Sequence, residues 1–188
     1  GDGTYRGGNC LSEKWKIPCV GVPCTIDNDL NGTDATIGSD TAVNTALDAI
    51  DKIRDTATSM ERIFVVEVMG RSSGFIAMQV ALAGGSEDVI IPGRKLDYET
   101  MCHEIVNGNL RGKVSWIIIV AEGASRASEV AQEILKRTDL ETREVILGHV
   151  QRGGSSTATD RILATRLGAA AVDLLLRGET NKAVGIVA

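Results

Sequence analysis

Asp27 and Asp29 stand two residues apart, with Thr25 two residues before them, in the run Thr25-Ile26-Asp27-Asn28-Asp29. An extended segment projects alternate residues to one side and turns Ile26 and Asn28 away, which predicts two carboxylates and a hydroxyl in one small region. Like charges held that close are costly unless a cation or a substrate proton separates their roles. That suits a general base beside a metal-associated partner. Asp and Asn are also common turn formers, so an Asx-turn cluster capping the following helix is the structural alternative.

Two further segments carry cations. Arg71 follows Met69-Gly70, and Arg152 precedes Gly153-Gly154. Both place a guanidinium fork beside glycines, where backbone can approach a ligand closely, and this suits phosphate recognition. Taken singly, each arginine reads equally as a solvated or carboxylate-paired surface residue, and His149 as a satisfied structural histidine. The opening Gly1-Asp2-Gly3-Thr4 combines flexible backbone with a carboxylate. It could admit phosphate oxygens while Asp2 holds magnesium directly or through water, or it is simply a turn. It matches neither a Walker loop nor a dinucleotide fingerprint.

These residues must be positioned by something, and the hydropathy pattern says what. Short β-branched runs at Cys19 to Val22, Ile63 to Val68, Val89 to Ile91, Trp116 to Val120, Glu144 to Leu147 and Ala183 to Val187 read as strands. Between them lie helix-period segments: Asp40 to Ala57, Phe75 to Ala83, Asp97 to Asn109, Ser128 to Arg137 and Thr159 to Leu176. Nearly continuous apolar strands, each followed by a helix, imply an α/β chain with mainly parallel sheets covered on both faces, in Rossmann-like three-layer form. In such sheets ligands bind beyond the carboxyl ends of the strands. The segments following four of the strands are Pro23 to Asp29, Met69 to Gly74, Glu122-Gly123 and Gly148 to Gly154. They hold most of the chemistry, and this predicts one shared site.

Composition removes several classes of function. The 188 residues are 43% hydrophobic and 24% charged, ordinary globular material of one or two units. The formal charge of -5 and 3% aromatic content argue against a broad nucleic-acid face. The longest apolar run, Trp116 to Ala121, falls far short of the roughly 20 residues that span a bilayer. Four cysteines (Cys10, Cys19, Cys24, Cys102) form no CxxC pair, which reads as reduced cytoplasmic thiols.

Thr25-Ile26-Asp27-Asn28-Asp29, Met69-Gly70-Arg71 and Gly148-His149-Val150-Gln151-Arg152-Gly153-Gly154 together resemble the signature segments of the 6-phosphofructokinase family. The opening Gly-Asp-Gly-Thr is similar to the tail of that family's magnesium and nucleotide loop. The resemblance runs over essentially the whole chain. It implies ATP-dependent phosphorylation of fructose 6-phosphate in glycolysis, with Mg2+, in a cytoplasmic homo-oligomer that is a tetramer in the parent enzyme. Carried over residue by residue, Asp27 resembles the general base, Thr25 and Asp29 the residues arranging metal and phosphoryl group, and Asp2 the magnesium carboxylate. Gly1, Gly3 and Thr4 fall in the nucleotide loop. Arg71 resembles the arginine that meets charge developing on the phosphoryl group. Ile26, Met69, Gly70, Glu122, His149, Val150, Gln151 and Arg152 match the sugar-phosphate side, and Arg62 and Arg143 match arginines reaching into a neighbouring subunit's sugar site.

A second constellation, Arg54, Gly85, Ser86, Glu87, Arg111, Lys113, Val114 and Ser115, resembles the site where bacterial members bind ADP or phosphoenolpyruvate between subunits. A solvated helix end at Arg54 and a turn at Arg111-Gly112-Lys113 are the structural alternative. The resemblance further implies two lobes, 1–38 with 151–188 binding nucleotide and 39–150 binding sugar phosphate. It also leads us to expect a central portion of a longer enzyme, truncated at both ends and inactive alone. The pyrophosphate-dependent relative and a non-catalytic regulatory module of the same fold are the competing readings. Gly3, where such relatives carry a second aspartate, and the uncharged Cys24, where they carry lysine, favour ATP as donor.

Overall fold

The computed structural model describes residues 2–187, with the side chain of Asp2 outside that description. The chain divides into two compact units. One comprises the residues up to Thr41 with those from Ser155 onward; the other is Ala42–Gly154.

The central unit is an α/β layer structure. Strands β2 (Ile63–Val68), β3 (Asp88–Ile90), β4 (Trp116–Ala121) and β5 (Thr142–Ile146) form one parallel sheet in the order β3-β4-β2-β5. Helices α2 (Ser39–Met60, which begins in the other unit), α3 (Phe75–Gly84), α4 (Tyr98–Leu110) and α5 (Ala127–Thr138) alternate with the strands. The two inner strands, β2 and β4, are buried along nearly their whole length, as parallel strands covered on both faces must be. Side chains alternate across the pleat. Ile63, Val65, Ile118 and Val120 pack with Met101 and Ile105 of α4 and Val130 and Ile134 of α5.

In the other unit, α1 (Asp2–Trp15) and α6 (Ala158–Leu176) accompany, among the described residues, a sheet of two short parallel strands, β1 (Val20–Gly21) and β6 (Lys182–Ala183). The segment Asp2-Gly3-Thr4, read above as a loop or turn, is the first turn of α1. Local propensity opposes that helix, because Gly3, Gly7 and Gly8 each cost about 1 kcal/mol relative to alanine. Packing supplies what propensity lacks. The Tyr5 ring lies so close to Gly21 that a Cβ there would stand 2.2 Å from it. Burial, with the nearby Cys24 second, raises the Tyr5 phenol above its ordinary pKa.

The first predicted strand shortens to Val20–Gly21, the third moves one residue earlier to Asp88–Ile90, and two others shift further. The last does not run to Val187, because after Val184 donates to Gly21 the chain turns its hydrogen bonds to the Gly32–Asp34 loop. The fifth starts two residues earlier than its apolar run, since register with β2 carries the pairing out to Thr142.

Candidate active site

Asp27 sits in a turn after β1, not in the extended segment that residue alternation suggests. Its amide donates to the Thr25 hydroxyl at 3.2 Å. Asn28 follows with φ of 47°, a left-handed conformation that asparagine tolerates better than most residues. The turn separates the two carboxylates: Asp27 is 4% exposed, whereas Asp29 is exposed to solvent. One-sidedness therefore fails as a geometric reading: one acid is buried and the other solvated. Asn28 also fastens the loop, donating to Asp34 O at 3.1 Å and accepting from the Thr36 hydroxyl at 3.0 Å.

In the central unit the predicted residues converge at the carboxyl ends of β2, β4 and β5. Glu122, directly after β4, accepts through Oε1 from the amides of Gly70 (3.1 Å) and Arg71 (2.8 Å), directly after β2. Gln151, fully buried in the 3-10 turn Gly148–Arg152 after β5, accepts from Met69 N at 3.3 Å and donates to Gly148 O at 3.1 Å. Three loops are thus tied by two side chains. Glycine is required at two of the crossings. Gly70 has φ of 140°, and a Cβ on Gly123 would lie 1.7 Å from the Arg71 carbonyl oxygen. Arg71, His149, Val150 and Arg152 stand exposed around this frame. Arg71 itself has a left-handed φ of 50°, a strained conformation for a long side chain.

Arg62 and Arg143 meet at the outer edge of the same sheet. Arg62 Nε lies 2.9 Å from Glu141 Oε2, and Arg143 bonds the other oxygen of that carboxylate. β5 is an edge strand with Arg143, Glu144 and Ile146 exposed.

The second predicted constellation is brought together in part. Arg54 bonds the carbonyl oxygens of Gly84 and Gly85 (the latter at 3.1 Å) at the end of α3. Glu87 accepts from Ile117 N at 2.6 Å and from Lys113 Nζ at 2.8 Å, and Lys113 lies 4.6 Å above the Trp116 ring. Ser86 joins this group through Ala81 O and Asp88 O. Among the described residues, no hydrogen bond links Arg111, Val114 or Ser115 to it.

Gly1 and the side chain of Asp2 lie outside the described residues, and among those described no three of His, Cys, Asp and Glu gather as a metal set. No helix is long and apolar enough to cross a membrane. The buried Asp160, which pattern reading passes over as an ordinary acid in the first turn of α6, accepts from Gly38 N and Thr41 N at 2.8 Å each. No sequence signal separates it from a helix-start aspartate; its partners lie about 120 residues away in the chain.

Known proteins are similar to this chain over nearly its whole length. The Phosphofructokinase family model matches residues 1–175. A Bacillus licheniformis protein named ATP-dependent 6-phosphofructokinase is 57% identical over 186 residues, covering 99% of this chain and 58% of that protein. A Bacillus velezensis protein of the same name is 56% identical with the same coverage. The chain therefore spans about 58% of the length of these relatives. Among solved structures, phosphofructokinase from Saccharomyces cerevisiae superposes with a TM-score of 0.81 at 39% identity, over 89% of this chain and 24% of that one. A pyrophosphate-dependent phosphofructokinase from Marinobacter aquaeolei gives 0.80 at 27% identity, over 97% and 51%. With its parallel α/β units and its signature loops at the strand ends, the chain belongs to the phosphofructokinase family.

Proposed function

We propose that the protein carrying this chain transfers the γ-phosphoryl group of ATP to the 1-hydroxyl of fructose 6-phosphate, giving fructose 1,6-bisphosphate and ADP. The observation that carries this reading is the frame at the ends of β2, β4 and β5. Glu122 and Gln151 hold the Gly70-Arg71 and His149 to Arg152 segments together, presenting cations where a phosphorylated sugar can reach them. Asp27 is the base: its carboxylate takes the proton from O1 as O1 bonds to the γ-phosphorus and the bond to the β,γ-bridging oxygen breaks. Phosphoryl transfer demands mostly positioning and charge neutralisation, and a preformed frame supplies positioning without reorganisation during the step. Arg71 meets charge developing on the transferred group, while Met69, Gly70, Glu122, His149, Val150, Gln151 and Arg152 form the sugar-phosphate side.

The oxygen donors fit magnesium, because Asp29 is an exposed carboxylate next in the loop to the buried Asp27; Asp2, whose side chain lies outside the described residues, is the magnesium carboxylate by family resemblance alone. Bound there, the ion would neutralise phosphate charge. By the same reading the unit built from the two chain ends binds nucleotide and the central unit binds sugar phosphate. Arg62 and Arg143, paired through Glu141 on an exposed edge, serve the site of a neighbouring subunit in a homo-oligomer. The cluster of Arg54, Gly85, Ser86, Glu87 and Lys113, with Arg111, Val114 and Ser115 nearby in sequence, takes ADP or phosphoenolpyruvate as effector. ATP as donor is supported by the names of the 57% and 56% identical relatives and by Gly3 and Cys24; the pyrophosphate-dependent neighbour is only 27% identical.

Steady-state kinetics on the full-length protein test this reading. Turnover with ATP should exceed turnover with pyrophosphate. Asp27→Ser should lower kcat by about 10² to 10⁴ with little change in sugar-phosphate KM, because base assistance appears mainly in the transition state. Preference for pyrophosphate would overturn the donor, and unchanged kcat in the variant would overturn the base.

A further inference from the structure

The loop that carries Asp27 is anchored at a distance from Asp27. Between Pro23 and Ser39 the described backbone contacts are the Cys24–Ile37 bridge, a bond from Asp34 N to Ile186 O and one from Ser39 N to Thr36 O, and side chains add further ties. The Thr36 hydroxyl, fully buried, donates to Thr25 O at 2.6 Å, and the Ser39 hydroxyl donates to Thr36 O at 2.8 Å. These bonds lead to the start of α2. There the closing partner comes from the opposite end of the chain.

Asp160, 3% exposed, accepts from the amides of Gly38 and Thr41 and from the Thr41 hydroxyl. Its own helix does not need it as a cap, since Thr157 fills that role and accepts from Asp160 N at 3.3 Å. Thr157 in turn donates to the Asp40 carboxylate, and its amide donates to the Thr41 hydroxyl at 3.3 Å. The first turns of α2 and α6 therefore cap each other. A carboxylate so deeply buried is costly without donors, and all three donors it finds here belong to Gly38 and Thr41.

Resting on the reading of Asp27 as base, we propose that Asp160 is a positioning residue for the phosphoryl-transfer step. It fixes the start of α2 and, through Ser39 and Thr36, the turn that aims Asp27. Asp160→Asn keeps one acceptor oxygen and replaces the other with an NH2 group, which can only donate and so meets a donor at Gly38 or Thr41.

Hydrogen exchange on this chain reads the anchoring without any activity. In Asp160→Asn, exchange at the Ile37 and Ser39 amides should quicken at least about tenfold while the Ile118 and Val120 amides stay protected. Unchanged protection at Ile37 and Ser39 overturns the proposal. If Asp160→Asn also releases the whole of α6, Thr41→Ala removes one donor, leaves the carboxylate and two amides in place, and should reproduce the pattern in weaker form; no local change there overturns the proposal. Kinetics on the full-length protein read the positioning. Asp160→Asn should lower kcat by about 10- to 100-fold with sugar-phosphate KM within about threefold, since small misplacements of reacting groups have large rate effects. Joined to Asp27→Ser, it should slow the enzyme no further. Additive losses overturn the action of Asp160 through Asp27. An Asp27→Ser variant at full turnover overturns the base itself, and the exchange result then stands by itself on whether Asp160 anchors the loop.

Discussion

The central unit holds its candidate residues on a broad parallel sheet, with loops leaving β2, β4 and β5 side by side and two side chains tying them. The unit formed by the chain ends has two strands of two residues each, and fastens the Asp27 turn with hydroxyls and buried carboxylate contacts. Around that turn the contacts are polar, whereas apolar side chains fill the central sheet. The difference lies in what stands under the hydrogen bonds: in the central unit the Glu122 and Gln151 ties rest on a buried sheet, while the Asp27 turn is held by a chain of hydroxyls and carboxylates. Damage should propagate accordingly, broadly through the sheet and locally through the clasp.

The largest effect should follow from a hole in the central core. Ile118 is fully buried in β4, and Ile118→Ala should cost about 2 to 5 kcal/mol by lost burial and residual cavity, read from urea melts. Loss of all three β2, β4 and β5 loops together would support a common sheet foundation, and a cost under about 1 kcal/mol would break the comparison.

Next comes Gly123→Ala. Its Cβ would enter the Arg71 carbonyl, a backbone atom that cannot swing aside, so overpacking of about 1 to 3 kcal/mol is expected. Sugar-phosphate affinity of the full-length protein should fall, because the Arg71 segment must move. Calorimetry checks it, and unaltered affinity would detach this turn from the site.

Thr157→Ala tests the clasp in the other unit. Losing an N-cap hydroxyl costs about 1 kcal/mol, and here the Asp40 contact goes with it. Thermal unfolding should show α6 and the Asp27 loop destabilised while the central sheet keeps its exchange protection.

The smallest effect is acid-dependent. Asp97 caps α4, accepting from Glu99 N and Thr100 N, and the Thr100 hydroxyl and amide hold its carboxyl below the ordinary 3.8. A lowered folded value means that the stabilisation is complete above the ordinary carboxylate range and is lost as pH falls through the lowered value. Asp97→Asn keeps a neutral cap, so urea melts of the two proteins should differ less at pH 3 than at pH 6. A constant difference would remove ionised Asp97 from α4.

Much of the central unit was legible beforehand. β2 and β4 are uninterrupted β-branched runs, and the pattern finds them within one residue, because buried parallel strands must be apolar throughout. α1 was not legible, since its glycines argue against a helix, and contacts such as Tyr5 on Gly21 that help to sustain it are tertiary. The Thr25–Asp29 geometry was misread for a related reason. Alternation assumes an extended backbone, and the turn at Asp27 depends on Asn28 and on Thr36, eleven residues from Thr25.

What the sequence determined alone is the identity and order of the chemical groups, the alternation of strands and helices, and the placing of carboxylates and arginines just beyond strand ends. Those properties are local: they follow from residue type, period and spacing. Tertiary structure decided which of the two acids is buried, that Glu122 and Gln151 tie three loops, that one carboxylate pairs Arg62 with Arg143, and that Asp160 caps a helix other than its own. Each joins residues distant in sequence, where solvent exclusion and hydrogen-bond satisfaction are set by what packs alongside, and no periodicity along the chain records that neighbour.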